Sequence, residues 1–92
     1  MTSNDKVSRN EIKEAVINEL EPFAESGQPV TEDMHLQKDL DLGPSSRFAL
    51  ALPFTKISKH YDGYAIRGEE TKMLGFVKEA VDLVFKKANR SN

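Results

Sequence analysis

The spacing of the apolar residues constrains the fold of this chain more than any other feature of its sequence. A first apolar face recurs at intervals of four, four and three residues, the period of an α-helix, and consists of Ile12, Val16, Leu20 and Phe23. It predicts a helix from about Arg9 to Glu21. Ser8 and Glu11 fit a capping box at its start, and Pro22 disfavours its continuation. No segment alternates convincingly as a β-strand.

A second amphipathic segment begins after Ser45 and Ser46, which are good N-cap residues, and runs to about His60. Its apolar face consists of Leu50, Phe54, Ile57 and Tyr61. Pro53 lies inside this segment, where a proline costs roughly 3 kcal/mol and removes a backbone hydrogen bond. We therefore expect a kink or a fresh helical turn starting at Pro53. The pair Asp62-Gly63 is a helix stop or turn.

The remaining segments complete a helical pattern. Residues 66–72 fit one short helical piece, and a final helix is predicted from Met73 to near Ala88, with Gly75 weakening its start. Residues 25–44 form a long first loop, whose spaced apolar side chains we expect to lie across the helical core: Val30, Met34, Leu36, Leu40 and Leu42. The chain is thus predicted to be all-α, a small four-helix bundle with three main helices and one short helix.

The length and composition indicate one small domain. We predict a single domain over residues 1–92, with an ordered core from about residue 8 to residue 88. The sequence contains no Cys, which excludes disulfides and thiolate-bound metal as supports for the core. Its longest apolar run, residues 48–54, includes a proline and is far too short to span a membrane. The N terminus is polar and shows no secretory signal, so the expected protein is a cytoplasmic monomer without membrane insertion.

The net charge of −2 hides an uneven distribution along the chain. Residues 1–43 carry a net charge of −6, residues 44–61 carry +3 and residues 62–92 carry +1. The middle segment contains no acid and contributes Arg47, Lys56 and Lys59. One explanation is an ordinary solvated surface, and the other is a basic segment that faces a partner. The overall balance argues against a general nucleic-acid-binding protein, so no nucleic-acid partner is predicted.

The motif with the most functional content lies where the long loop meets the second helix. Residues 41–46 read Asp-Leu-Gly-Pro-Ser-Ser, which resembles the signature Asp-Leu-Gly-x-Asp-Ser-Leu of acyl carrier proteins. Asp41, Leu42 and Gly43 match this signature, and Ser46 falls at the serine that carries 4′-phosphopantetheine in the family. A different gap in the loop places Ser45 at that position instead. The order of the predicted helices over residues 11–85 is also similar to the order in the family.

The resemblance implies a carrier rather than an enzyme. It implies an acyl-carrier-like four-helix bundle with a covalent 4′-phosphopantetheine arm taken from coenzyme A. Acyl groups would be held on this arm as thioesters. The implied partners are a phosphopantetheinyl transferase and the acyl-transferring or acyl-modifying enzymes of a fatty-acid, polyketide or lipid-modification pathway. A serine at the start of a helix suits this role, because its phosphodiester lies beside free backbone N–H groups.

Two departures from the family pattern leave a second function open. Ser45 replaces an aspartate and Arg47 replaces a leucine. The apolar period of the second helix also fits a register one residue later, in which Phe48 takes the leucine position and Arg47 the serine position. That register predicts an interaction module that has lost the cofactor. The family's second helix is usually acidic and this one is basic, so we predict partner-binding residues at Arg47, Phe48, Lys56 and Lys59.

Other kinds of chemistry have little support in the sequence. His35 and His60 stand alone, which is poor ground for a metal site or a catalytic dyad, so no catalytic residue and no metal ligand are predicted. For Ser46 itself, the explanation that needs no cofactor is a plain helix N-cap, worth about 1 kcal/mol. The Asp-Leu-Gly context and the helix order favour attachment of the arm.

Overall fold

The capping box predicted from the sequence starts the first helix. A computed structural model describes residues 7–89, and in it helix α1 spans Arg9–Leu20. The Ser8 hydroxyl accepts hydrogen bonds from the backbone N–H groups of Asn10 and Glu11, at 3.1 and 3.3 Å. The Glu11 carboxylate accepts one from the Ser8 N–H at 3.5 Å. A short 3-10 turn, Glu21–Phe23, ends the helix. It contains Pro22, which was predicted to stop it.

Helices provide the regular structure of residues 7–89. After α1 come α2 (Pro44–Ala49), α3 (Ala51–His60), α4 (Gly68–Lys72) and α5 (Val77–Ala88). These residues contain no β-strand, only an isolated bridge between His35 and Phe76. The Cα radius of gyration is 12.9 Å, close to the value of about 12 Å expected for a compact chain of this length. The predicted all-α class is confirmed as a compact, mostly helical small bundle. Within residues 7–89 no helix has the length and apolarity needed to cross a membrane.

The second predicted helix is divided at Leu50 into α2 and α3. Pro53 has no N–H to donate to the carbonyl of Ala49, and its ring crowds that carbonyl, so regular helix ends at Ala49. Leu50 keeps right-handed helical dihedral angles, with φ −64° and ψ −17°, and the helical path continues through the break. The predicted interruption is therefore confirmed, but it precedes Pro53 because the proline disturbs the turn before it.

The last helix begins at Val77 and not at Met73, so the predicted start is wrong. The Glu79 carboxylate accepts hydrogen bonds from the backbone N–H groups of Gly75 and Phe76, at 2.8 and 3.0 Å. This holds Phe76 in an extended conformation, with φ −105° and ψ 156°, directly before the helix. The Phe76 and Gly75 donors also hold the pKa of Glu79 below its usual value. Met73 instead ends α4 as its C-cap residue.

The long loop before α2 is held against the start of α5 by main-chain hydrogen bonds. The Met34 carbonyl accepts from the Val77 N–H at 2.9 Å, and the Glu32 carbonyl accepts from the Lys78 N–H at 3.1 Å. Both donors lie in the first turn of α5, where no partner exists within the helix. The side chains expected to lie across the core do so: Met34 is half-buried, and the buried ones are Val30, Leu36, Leu40 and Leu42.

Helices α1, α3 and α5 pack against one another, and α2 packs against α4. An ion-pair network joins α1, the loop and α5 at the surface. The Arg9 guanidinium Nη2 lies 2.7 Å from a Glu32 carboxylate oxygen and 2.8 Å from an Asp82 carboxylate oxygen. The hydrogen bond from Arg9 lowers the pKa of Glu32 from its usual value. The largest fully buried side chains are Phe54, Ile12, Leu20 and Leu36.

Gly63 provides a test of this packing. A Cβ atom at Gly63 would overlap the Ser58 hydroxyl oxygen, the Lys87 carbonyl oxygen and the Ala88 Cα atom. We expect Gly63→Ala to lower the free energy of unfolding by about 1–3 kcal/mol, as overpacking does, measured by urea denaturation. Gly43→Ala is the matched control, because a Cβ there meets no atom within 4 Å, and its expected effect is below about 1 kcal/mol. Equal losses in the two variants would contradict the close approach at Gly63.

The contact between Arg9 and Glu32 predicts a dependence of stability on pH. Because the pKa of Glu32 is lowered in the folded state, the ionised carboxylate stabilises the fold above the unfolded pKa of about 4.3. This contribution disappears as the pH falls through the lower folded pKa. Glu32→Gln should therefore lose less stability than the wild type between about pH 6 and about pH 3, in urea titrations at each pH. Glu19→Gln removes an exposed charge from α1 as the control, and equal slopes for Glu32→Gln and the wild type would refute the linkage.

Candidate functional site

Ser45 and Ser46 lie in the first turn of α2, at the end of the long loop. Gly43 is the N-cap residue and Pro44 is the first helical residue, since the fixed φ of proline suits that position. The serines occupy the second and third helical positions, so the explanation of Ser46 as an N-cap is wrong. Both serines are exposed, and neither hydroxyl makes a hydrogen bond in the part of the chain that the structure describes.

The Asp-Leu-Gly segment explains why the serines reach the surface. Asp41 has a φ of 58°, in the left-handed region that aspartate tolerates better than most residues. Leu42 is buried, and its N–H donates to the Leu36 carbonyl at 2.9 Å. Gly43 then runs extended, with φ −72° and ψ −177°, into the helix. The chain is therefore anchored by Leu42 and turned at Asp41, and the next residues emerge into solvent.

Arg47 is tied to the fold on the inner side of α2. Its guanidinium donates to the Leu42 carbonyl at 2.7 Å, to the Gln37 side-chain carbonyl at 2.7 Å and to the Lys72 carbonyl at 3.1 Å. These three bonds join the end of the loop, the first turn of α2 and the end of α4. The predicted partner-binding residue is therefore already engaged within the protein, and a role toward a partner stays a prediction.

The Phe48 side chain of α2 packs against α4 and is only partly covered. Its ring is 48% exposed and rests on Gly68, where a Cβ atom would overlap the ring. Beside it is a shallow groove of about 220 Å³, lined by Pro44, Ser45, Phe48 and Lys72. The lining offers one cation, one hydroxyl and an aromatic edge, and it contains no carboxylate. Ser45 lines this groove, whereas Ser46 does not.

Lys56 and Lys59, the other two predicted partner-binding residues, are exposed on α3. Neither forms an ion pair with a carboxylate within residues 7–89. They lie beyond the break at Leu50, about three and about three and a half helical turns from Ser46 along the chain. The structure therefore places Arg47 and Phe48 beside the serines and the two lysines farther along the same helical segment.

Leu52, which lies outside the apolar spacing of the second predicted helix, is 70% exposed. Two residues near the site escape the sequence reasoning. Lys72 lines the groove from α4, but nothing in the sequence pairs α4 with α2. Thr71 is fully buried, and its hydroxyl lies 3.3 Å from the Phe48 carbonyl, so it joins the same two helices.

Both histidines make contacts with neighbouring residues in the part of the chain that the structure describes. The His35 Nδ1 atom accepts the backbone N–H groups of Gln37 and Lys38, each at 3.2 Å. The His60 ring stacks edge-on against Tyr61. Across residues 7–89, no group of three or more histidine, cysteine, aspartate or glutamate side chains is arranged to hold a metal ion.

The comparisons with known proteins identified no relative of this chain. No protein-family model matches the chain, and neither a curated protein nor a solved structure matches it. A functional assignment therefore depends on the motif and on the geometry around α2.

The hydrogen bonds of Arg47 predict a loss of stability when the guanidinium is removed. Arg47→Ala should lower the free energy of unfolding by about 1–3 kcal/mol, because two backbone carbonyls and one amide lose a charged donor. Lys56→Ala removes an exposed cation that has no partner in residues 7–89 and should change stability by less than about 0.5 kcal/mol. Urea denaturation of both variants checks this, and an Arg47→Ala protein as stable as Lys56→Ala would refute the structural role.

Proposed function

We propose that this protein is a divergent acyl carrier protein that carries 4′-phosphopantetheine on Ser46. The observation that carries the proposal is the exposed Ser46 hydroxyl, which makes no hydrogen bond within residues 7–89 and follows the Asp-Leu-Gly motif in the first turn of α2. A separate transferase can reach such a hydroxyl without disturbing the core. The order of one helix, a long packed loop, a divided second helix, a short helix and a last helix also supports the likeness.

The groove beside Ser45, the neighbour of Ser46, has a lining that fits a phosphodiester and its arm. The adjacent groove offers Lys72 as a cation and Phe48 as an apolar wall, with no carboxylate to repel a phosphate. When attached, the arm supplies the thiol that this chain lacks, since its sequence contains no Cys.

The role of the chain itself is presentation rather than catalysis. In the attachment step, the Ser46 oxygen would form a bond to the phosphorus that bears the pantetheine group. The bond from that phosphorus to the nucleotide half of coenzyme A would break, and the hydroxyl proton would pass to a base of the transferase. The protein then holds acyl thioesters and delivers them to enzymes of a fatty-acid, polyketide or lipid-modification pathway, as a cytoplasmic monomer.

The charge of the second helical segment supports a specialised pathway. Residues 44–61 carry a net charge of +3, whereas the resembled family usually presents an acidic second helix to basic enzymes. Reversing the charge on one side of such an interface turns attraction into repulsion. We therefore propose a dedicated set of partner enzymes rather than those of bulk fatty-acid synthesis.

A second candidate is an acyl-carrier-like interaction module without a cofactor. It is favoured by Arg47, which occupies the serine position in the later register and is built into the fold by three hydrogen bonds. The exposed Phe48 then provides a contact that needs no arm. Such a module binds its partner equally well before and after treatment with a transferase.

Intact mass spectrometry tests the attachment site. Coexpression with a broad-specificity phosphopantetheinyl transferase should add one phosphopantetheine to the wild type and none to Ser46→Ala. Ser45→Ala is the matched control, because it removes the neighbouring exposed hydroxyl, and it should be modified like the wild type. Addition that persists in Ser46→Ala and vanishes in Ser45→Ala would move the site to Ser45. A wild type that stays unmodified with several transferases would refute the carrier and leave the interaction module.

A further inference from the structure

One side of the α2–α3 segment presents two apolar side chains followed by two cations. We call it the docking face and define it by Phe48, Leu52, Lys56 and Lys59. Their intervals of four, four and three residues place them along one side of a helix. The helical dihedral angles of Leu50 carry that side through the break. The other side of the segment is buried in the core through Leu50, Phe54 and Ile57.

The apolar part of the docking face is more than a scattered surface residue. Phe48 is 48% exposed and Leu52 is 70% exposed. They lie one helical turn apart, so their exposed surfaces are neighbours. A single exposed apolar residue is ordinary, but an adjacent pair bordered by charges is typical of a contact surface. The Phe48 ring also packs closely against Gly68 of α4.

The charged part of the docking face consists of two lysines that form no ion pair within residues 7–89, although Asp62 lies in the same surface depression as Lys59. Residues 44–61 contain no Asp or Glu, and neither Lys56 nor Lys59 forms an ion pair within residues 7–89. On the neighbouring α4, the Glu70 carboxylate is occupied by Lys87 at 2.9 Å. The face therefore combines an apolar centre with an end that carries two cations without ion pairs, although the whole chain is negative.

We propose that this face docks a partner protein whose contact surface combines an apolar ridge with carboxylates. The proposal deepens the proposed function by naming the chemistry of the partner. It rests on that function only in assuming that the α2–α3 segment binds a partner, and it needs no arm on Ser46. It also changes the set of partner-binding residues. The guanidinium of Arg47 is engaged in hydrogen bonds within the protein, and Leu52 joins the face in its place.

Charge and shape favour an acidic protein over two other candidate occupants, a second copy of this chain and a lipid surface. The apolar pair needs an apolar counterpart, and the two lysines need carboxylates placed beside it. A symmetric pair of two copies through this face would bring four lysines together without a carboxylate. An anionic lipid surface would have to attract a chain whose overall net charge is −2.

The test is an NMR titration of the ¹⁵N-labelled Ser46→Ala chain with two synthetic helical peptides. One peptide carries leucines on one side with flanking glutamates, and the other carries lysines instead of the glutamates. The glutamate peptide should shift the amides of the docking face, and its affinity should fall with added salt. The lysine peptide should bind at least about tenfold more weakly, which corresponds to about 1.4 kcal/mol.

Charge-reversal variants locate the interaction. Lys56→Glu with Lys59→Glu should weaken binding of the glutamate peptide about tenfold or more and favour the lysine peptide. Lys78→Glu with Lys86→Glu makes the same change in net charge on exposed positions of α5 and should alter affinity less than about twofold. Leu52→Ser should weaken both peptides, because it removes the apolar contact without changing charge.

Four outcomes would overturn the proposal. These are equal affinity for the two peptides, shifts outside the docking face, self-association of the free chain through this face, and binding to anionic phosphatidylserine vesicles but not to the glutamate peptide. Because Ser46→Ala cannot carry the arm at that position, a failure here leaves the attachment proposal standing. Failure to attach the arm in the mass experiment likewise leaves the docking face standing.

Discussion

The contact between the long loop and the start of α5 is the constraint on which the rest of the structure depends. Residues 32–36 exchange main-chain hydrogen bonds with residues 75–78, and the shortest joins the Leu36 N–H to the Gly75 carbonyl at 2.8 Å. These bonds complete the first turn of α5 and fix the path of a loop that has almost no regular structure of its own. The loop then delivers Leu42 to the core and the serines to the surface.

Most of the helical content could be predicted from the sequence, because period and caps are local properties. The interval of apolar residues and the Ser8 capping box located α1 within one residue. Two of the misplaced boundaries show what the local pattern leaves out. The start of α5 is set by the Glu79 carboxylate and by loop carbonyls that the sequence does not connect to it. The break at Leu50 follows from the proline, whose effect falls on the preceding turn.

The candidate site was predicted in its position but not in its surroundings. The motif located two exposed serines, but the tertiary partners of Arg47 and the approach of α4 to α2 are not encoded in any local pattern. A cation in a basic segment can face solvent or bind carbonyls of its own chain, and only the packed structure distinguishes these. The exposure of Leu52 could be predicted, because this residue does not fit the apolar spacing of the second predicted helix. Net charge by segment identified a segment without acids, but not which of its cations form hydrogen bonds within the protein.

The short helix α4 has a consequence for the groove beside the serines. Five residues are too few to remain helical alone, so α4 owes its order to its neighbours. It is held at one end by the bond from Arg47 to the Lys72 carbonyl and in the middle by the buried Thr71 hydroxyl and the Glu70–Lys87 pair. One wall of the groove thus depends on contacts from α2 and α5. Substitutions at Arg47 or Lys87, neither of which lines the groove, would therefore change its shape through α4.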